Sequence, residues 1–389
     1  MIKNTERIGY LDGLRGLAAF SVYLFHFAAA FLPFIYFKDI SLIHFNVEKL
    51  VVGTPLYYLI DGGVMVSIFF VLSGFVLAKV SNNFKDIEEL VPLLLKRYLR
   101  LAIPVLVSTL LIFLLFSNGY FHNLEASIIT LSKGWLGAFY SFIPALDSAL
   151  FQGTIGALFL NQSSYNPVLW TIYFELLGSI LVISFVVLLK KFRLLKVLML
   201  IVISLLLWGS PLLGFILGML LYEYKYIYLR SISKLTKTIV LLITIIIWDF
   251  TIDGKITQFF AGKLNFHSNP ENIQFLVYSL IASGIIMFVL YSDLIQRILS
   301  RKLFQFLGKI SYSYYLLHIL IIVSFGSRIF VFLYSYFKGN YAFALSITFI
   351  LSTLLLLITS YIFTKLIDEK GQILSRKFFQ LLIKDKEIK

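Results

Sequence analysis

The sequence predicts an all-α fold: a polytopic membrane protein of about ten transmembrane helices with both termini cytoplasmic. Three observations carry that prediction. Hydrophobic residues make up 59% of the 389-residue chain and charged residues 14%, against about 45–50% and about 25% in soluble domains. So few charges cannot cover the surface of a soluble fold of this size. The apolar residues come in blocks of about 20, the length a helix needs to cross a hydrocarbon core of about 30 Å. The 34 Lys and Arg residues behind the net charge of +14 lie in short runs between those blocks.

The blocks fall at roughly 11–36, 55–78, 101–116, 168–189, 194–208, 211–224, 239–250, 273–291, 303–325 and 341–364. The first carries Asp12 and Arg15 where an apolar core should begin. Those charges argue against cleavage at Ala28-Ala29-Ala30, whose small residues resemble a signal-peptide site. The third follows a basic run of Lys96, Arg97 and Arg100. The connection 117–167 is rich in aromatics (Trp135, Phe139, Tyr140, Phe142) and is expected to fold back onto the outer membrane surface. Gly209-Ser210-Pro211 leaves only a tight turn between the fifth and sixth blocks, and the short seventh extends back through Leu235. With the amino terminus inside, about 26 of the 34 cations fall on the cytoplasmic side and about 7 outside. Residues 1–370 thus read as one transmembrane domain and 371–389 as a basic cytoplasmic tail.

Two function classes drop out early. The chain has no cysteine, which excludes disulfides, zinc–thiolate sites and thiol catalysis. The basic residues are spread between apolar blocks instead of gathering on one solvent face, so nucleic acid is not the partner. The lipid bilayer is.

Ionisable side chains inside spans are costly and mark function. Arg15 and His26 are eleven residues apart, which places them about 20° apart around one helix and roughly 16 Å apart along it. Depth counted the same way puts His26, Glu175, His318 and Asp61 in one outer slab, and Arg15, Ser73, Arg97 and Arg100 near the inner edge. The inner layer suits a phosphate-bearing donor from the cytoplasm, because Arg offers paired donors to phosphate oxygens. The outer layer holds histidine near its acid–base range with carboxylates to orient it. A donor reaching both layers needs a long, thin arm, and the pantetheine of coenzyme A has that shape. His44, His122 and His267 fall in outer loops.

Five segments then resemble, in order, the acyltransferase-3 family of membrane acyltransferases. They are Leu11-Asp-Gly-Leu-Arg-Gly-Leu-Ala-Ala19 with Arg15 and His26; Phe69-Phe-Val-Leu-Ser-Gly-Phe75; Arg97-Tyr-Leu-Arg100 with Pro104; Trp170-Thr-Ile-Tyr-Phe-Glu175; and Leu307-Gly-Lys-Ile-Ser-Tyr-Ser-Tyr-Tyr-Leu-Leu-His318. Many members carry Gly-Val-Asp before the second segment, where this chain has Met65-Val66-Ser67. The resemblance implies about ten spans, a cytoplasmic acyl-CoA donor and O-acetylation of surface polysaccharide. It implies His26 as the catalytic histidine with Arg15 as its motif partner, Arg97 and Arg100 on the CoA phosphates, and Glu175 as the carboxylate of the tryptophan motif.

Together these readings give an acyl-CoA-dependent O-acyltransferase of the bacterial inner membrane, with acetyl-CoA as donor and a cell-envelope glycan as acceptor. His26, Glu175 and Arg15 are assigned to catalysis. Arg15, Arg97, Arg100 and Ser73 are assigned to the donor, and Asp61, Trp170 and His318 to the acceptor. His26 takes the acceptor proton, Glu175 sets its tautomer or holds the acceptor, and no metal is expected. A lipid or small-molecule acceptor, a transporter or flippase, and assembly into a homo-oligomer stay open.

Overall fold

The computed structural model describes residues 8–84, 87–225, 232–251 and 270–387, so His267 lies outside the described residues. The framework is helical: α1 (Gly9–Phe31), α2 (Gly62–Ser81), α3 (Leu90–Ser117), α4 (Trp170–Leu188), α5 (Arg193–Leu206), α6 (Leu212–Glu223), α7 (Lys234–Thr251), α8 (Pro270–Tyr291), α9 (Lys302–Ile321), α10 (Tyr341–Phe363) and α11 (Glu369–Glu387). No strand occurs among the described residues.

Every predicted apolar block forms a helix, and seven stretches are long and apolar enough to cross a membrane: Gly9–Phe31, Gly62–Ser81, Leu90–Ser117, Pro167–Leu188, Ile273–Tyr291, Lys302–Tyr336 and Tyr341–Leu382. Three expected spans fall outside that group for physical reasons. Helices α5 and α6 have 14 and 12 residues, so at 1.5 Å per residue they reach only about 21 and about 18 Å. Helix α7 carries Lys234, Lys237 and Asp249 within its 18 residues.

Helix boundaries differ from the apolar blocks wherever local chemistry intervenes. Helix α1 stops at Phe31, before Pro33. Helix α2 starts only at Gly62, where the Asp61 carboxylate accepts the Val64 N–H at 3.2 Å as an N-cap. Helix α3 starts eleven residues early, at Leu90, so Arg97 and Arg100 lie well inside it. Helices α9 and α10 run on through single π turns at Ile322–Gly326 and Thr364–Asp368. The first of these turns bonds the Val323 carbonyl to the His122 N–H at 3.1 Å. The second leads directly into α11, so the basic tail is a helix whose Phe379, 1% exposed, packs with Leu93, Ile183 and Val187.

The connection 117–167 departs from its expected place on the membrane surface. Its helical part, Leu146–Phe159, descends along α3. A Cβ on Gly153 would lie 3.0 Å from the Leu106 Cα, so the missing side chain permits the contact. Farther down, Tyr98 donates its hydroxyl to the Thr154 carbonyl at 3.2 Å, and its ring meets Phe159. Tyr98 is nineteen residues from the end of α3, about 28 Å along the axis.

The crossing that positions the site is between α1 and α9, which run in the same direction. A Cβ at Gly16 would lie 2.3 Å from the Gly308 nitrogen, one at Gly308 2.3 Å from the Asp12 carbonyl oxygen, and one at Gly13 2.1 Å from the Leu299 carbonyl oxygen. Gly16 and Gly308 therefore let the two backbones touch, and Gly13 does the same against the short helix Asp293–Leu299 that precedes α9. Glycines serve the same purpose between α2 and α6, where a Cβ on Gly74 would meet the Phe215 carbonyl oxygen at 2.1 Å and one on Gly218 the Val71 carbonyl oxygen at 2.0 Å. Replacing Gly16 by alanine should therefore force the helices apart and cost about 1–3 kcal/mol. The expected outcome is a clear drop in the melting temperature of detergent-purified protein, and an unchanged one would contradict the crossing.

Candidate active site

The α1–α9 crossing sets the register of two histidines. His26 lies ten residues beyond Gly16, and His318 ten residues beyond Gly308. In parallel helices, equal offsets carry both to the same level, about 15 Å above the crossing. There His26 Nδ1 lies 2.8 Å from His318 Nε2, with the rings 18° from coplanar. His318 Nδ1 lies 2.6 Å from the Tyr315 carbonyl oxygen.

That chain fixes the protons. A carbonyl oxygen only accepts, so His318 Nδ1 donates to Tyr315. With both rings neutral, His318 Nε2 is then an acceptor and His26 Nδ1 must donate to it. His26 Nε2 is left with its lone pair and takes no hydrogen bond among the described residues. His318 is fully buried, whereas His26 keeps part of its surface open. On its other side His26 lies against Trp135, ring centroids 5.5 Å apart and 20° from parallel. Trp135 comes from the 117–167 connection, so that segment supplies a wall of the site.

Below the histidines lies a charged cluster. The Glu175 Oε1 atom accepts from Ser73 Oγ at 2.7 Å and from the Arg97 guanidinium, which also donates through Nε to Ser179 Oγ at 2.8 Å. Both partners of the Arg97–Glu175 ion pair are 13% exposed. Arg100, one turn along from Arg97, sits in the fields of Arg97, Asp368, Tyr312 and Glu175. Tyr312, six residues before His318 on α9, senses Arg97, Glu175 and Arg100 in turn. The cluster therefore lies roughly 9 Å below the histidines.

The depth reading placed Glu175 beside His26, but its hydrogen bonds go to Ser73 and Arg97. The reason is the start of α4. Asn166 donates to the Leu316 carbonyl at 3.0 Å and Thr171 bonds the Tyr315 hydroxyl at 3.0 Å, so α4 begins already at the histidine level. Glu175 is then more than a turn lower. The remaining assigned residues stand apart from the two histidines. Arg15 pairs with Asp12 at 3.3 Å. Asp61 is 3% exposed and accepts the Trp248 indole N–H at 2.8 Å. Trp170 packs against Phe174 and Phe275. His44, expected in an outer loop, is stacked on Tyr341 at 4.0 Å and bonds the Thr130 carbonyl at 2.9 Å.

A family model described as an acyltransferase domain matches residues 8–365. The chain belongs to the acyltransferase-3 family. No curated protein and no solved structure matches it. With its apolar helices, this member of the family is a membrane acyltransferase.

Sequence reasoning did not single out Trp135, Ser179, Tyr315 or Trp248 for the site. Ser179 had a signal, since it lies one helical turn beyond Glu175 on the same face. The Tyr315 contribution is a backbone carbonyl and has no residue-type signature. The Arg97–Glu175 pair carries a stability test. Arg97→Ala would leave Glu175 charged and buried, costing about 3–5 kcal/mol, whereas Arg97→Met with Glu175→Met removes both charges and should restore most of that loss. Thermal melting of the three proteins decides; equal losses in the single and double variants would speak against a coupled pair.

Proposed function

We propose that this membrane acyltransferase transfers an acyl group, most simply acetyl, from cytoplasmic acyl-CoA to a hydroxyl of a bacterial cell-surface or lipid-linked glycan. The observation that supports it best is the hydrogen-bonded pair His26–His318, which leaves His26 Nε2 unprotonated and without a hydrogen bond among the described residues. In this reading the protein lies in the inner membrane as a bundle of about ten helices with both termini cytoplasmic. The donor enters from the end where α3 begins, and the acceptor arrives at the Trp135 end.

His26 Nε2 accepts the proton of the acceptor hydroxyl as its oxygen attacks the thioester carbonyl. The resulting imidazolium donates through Nδ1 to His318 Nε2, which stays neutral and holds the ring in its productive tautomer. When the C–S bond breaks, the leaving thiolate takes the proton back from His26, giving free thiol and neutral histidine. His318, first assigned to the acceptor, thus becomes the positioning partner of His26. Arg97 and Arg100 hold donor phosphates in this reading, with Ser73 and Glu175 fixing the Arg97 guanidinium. Arg15 serves the donor through its pairing with Asp12, and Asp61 and Trp170 line the acceptor side.

Purified protein, labelled acetyl-CoA and glycan acceptors test the reading. Transfer of label should disappear in His26→Ala. His318→Leu should lose about 10²–10⁴ in kcat, and His318→Asn, which keeps an acceptor oxygen for His26 Nδ1, should recover part of it. Full transfer by His26→Ala would overturn the mechanism. Movement of a solute without label transfer would instead make the protein a transporter.

A further inference from the structure

The cations on the basal side of the charged cluster divide into two groups. Arg97 is paired with Glu175, and Lys309 and Lys365 are both paired with Glu369. Lys96, Arg100 and Arg376 form no ion pair with a carboxylate among the described residues.

The packing of α11 on α3 brings these three together. The Lys96 ammonium lies 4.7 Å over the Phe379 ring, and a Cβ on Gly371 would meet Ile103 at 3.4 Å. As positions rise along α3 they fall along α11, so the helices are antiparallel and Arg376 sits level with residues 98–99. That level is between Lys96 and Arg100, which are four residues apart and share one helix face. Arg376 and Arg100 both act on Lys96 through space. Arg100 also feels the Asp368 and Glu175 carboxylates, so the surplus of positive charge rests on Lys96 and Arg376. Like charges held together there favour an anion joining them.

We propose that Lys96, Arg100 and Arg376 bind a phosphomonoester dianion, the 3′-phosphate at the nucleotide end of the acyl-CoA donor. This rests on the donor reading above and extends it beyond the family's own boundary. The family match ends at residue 365, so Arg376 comes from a helix outside the matched segment. Helix α11 thereby completes the donor site. Arg97, three residues from Arg100, leads on to Glu175 and Ser73, so a ligand held here lies beside the residues read above as the donor site.

The test compares CoA with 3′-dephospho-CoA on the full-length protein in neutral-lipid nanodiscs. The wild type should bind CoA at least about tenfold more tightly than 3′-dephospho-CoA. Arg376→Gln and Lys96→Gln should each erase most of that difference and leave the affinity for 3′-dephospho-CoA as it was. Lys377→Gln, an exposed neighbour, should behave as wild type. Equal wild-type affinity for the two nucleotides overturns the proposal while leaving the donor reading intact, and requires no variant to fold. Binding of neither nucleotide overturns both. An Arg376→Gln effect seen only as altered melting in anionic-lipid nanodiscs, with CoA affinity unchanged, would assign the cluster to a lipid headgroup and overturn the proposal.

Discussion

The contact between the backbones of α1 and α9 is the constraint on which the rest of the site depends. In lipid, two apolar helices gain little by burying side chains against each other, so close association must come from packing and from hydrogen bonds across the seam. Gly16 and Gly308 supply the packing, since nothing larger than hydrogen fits between the helices there. From that contact two parallel helices of equal rise deliver His26 and His318 to one another ten residues later. A sideways shift of either helix would leave each ring with an unpaired nitrogen in an apolar interior, a state that costs several kcal/mol.

The charged and ring-nitrogen groups inside the bundle are joined to other polar groups, and the joining defines the layers. The buried hydroxyls of Tyr314, Thr348, Ser352 and Ser360, by contrast, take no hydrogen bond among the described residues. Asp61 caps α2 and holds Trp248. Glu175 ties α2, α3 and α4 through Ser73 and Arg97. The histidine pair bridges α1 and α9 and ends on a helix carbonyl. Using a neutral imidazole to orient a catalytic imidazole fits the setting. A carboxylate in that place would carry its charge at rest, and the apolar surroundings make such a charge expensive.

The segment 146–169 turns this scaffold into a site. By descending beside α3 it starts α4 at the histidine level, which lowers Glu175 into the arginine cluster. The preceding stretch of the same connection places Trp135 against His26. The two functional layers are thus separated by one irregular segment, not by the full length of a span.

Much of this could be read before any coordinates. Membrane residence and the positions of the apolar helices follow from composition and block length, because the bilayer demands long apolar helices whatever the rest of the fold. His26, Arg97 and Glu175 could be singled out because ionisable groups at depth are rare. Partners were harder to read. Depth counting measured each helix from its own apolar edge, and that misplaced Glu175 because α4 begins already at the histidine level. The pairing of His318 with His26, the capture of Glu175 by Arg97 and the stacking of Trp135 depend on which helices touch and at what register. By itself the sequence determined the solvent, the helices and the rare polar residues, since those answer to local composition. Only the tertiary structure decided which of those residues share a hydrogen bond, because glycine contacts and a descending segment far apart in the chain set the heights at which they meet.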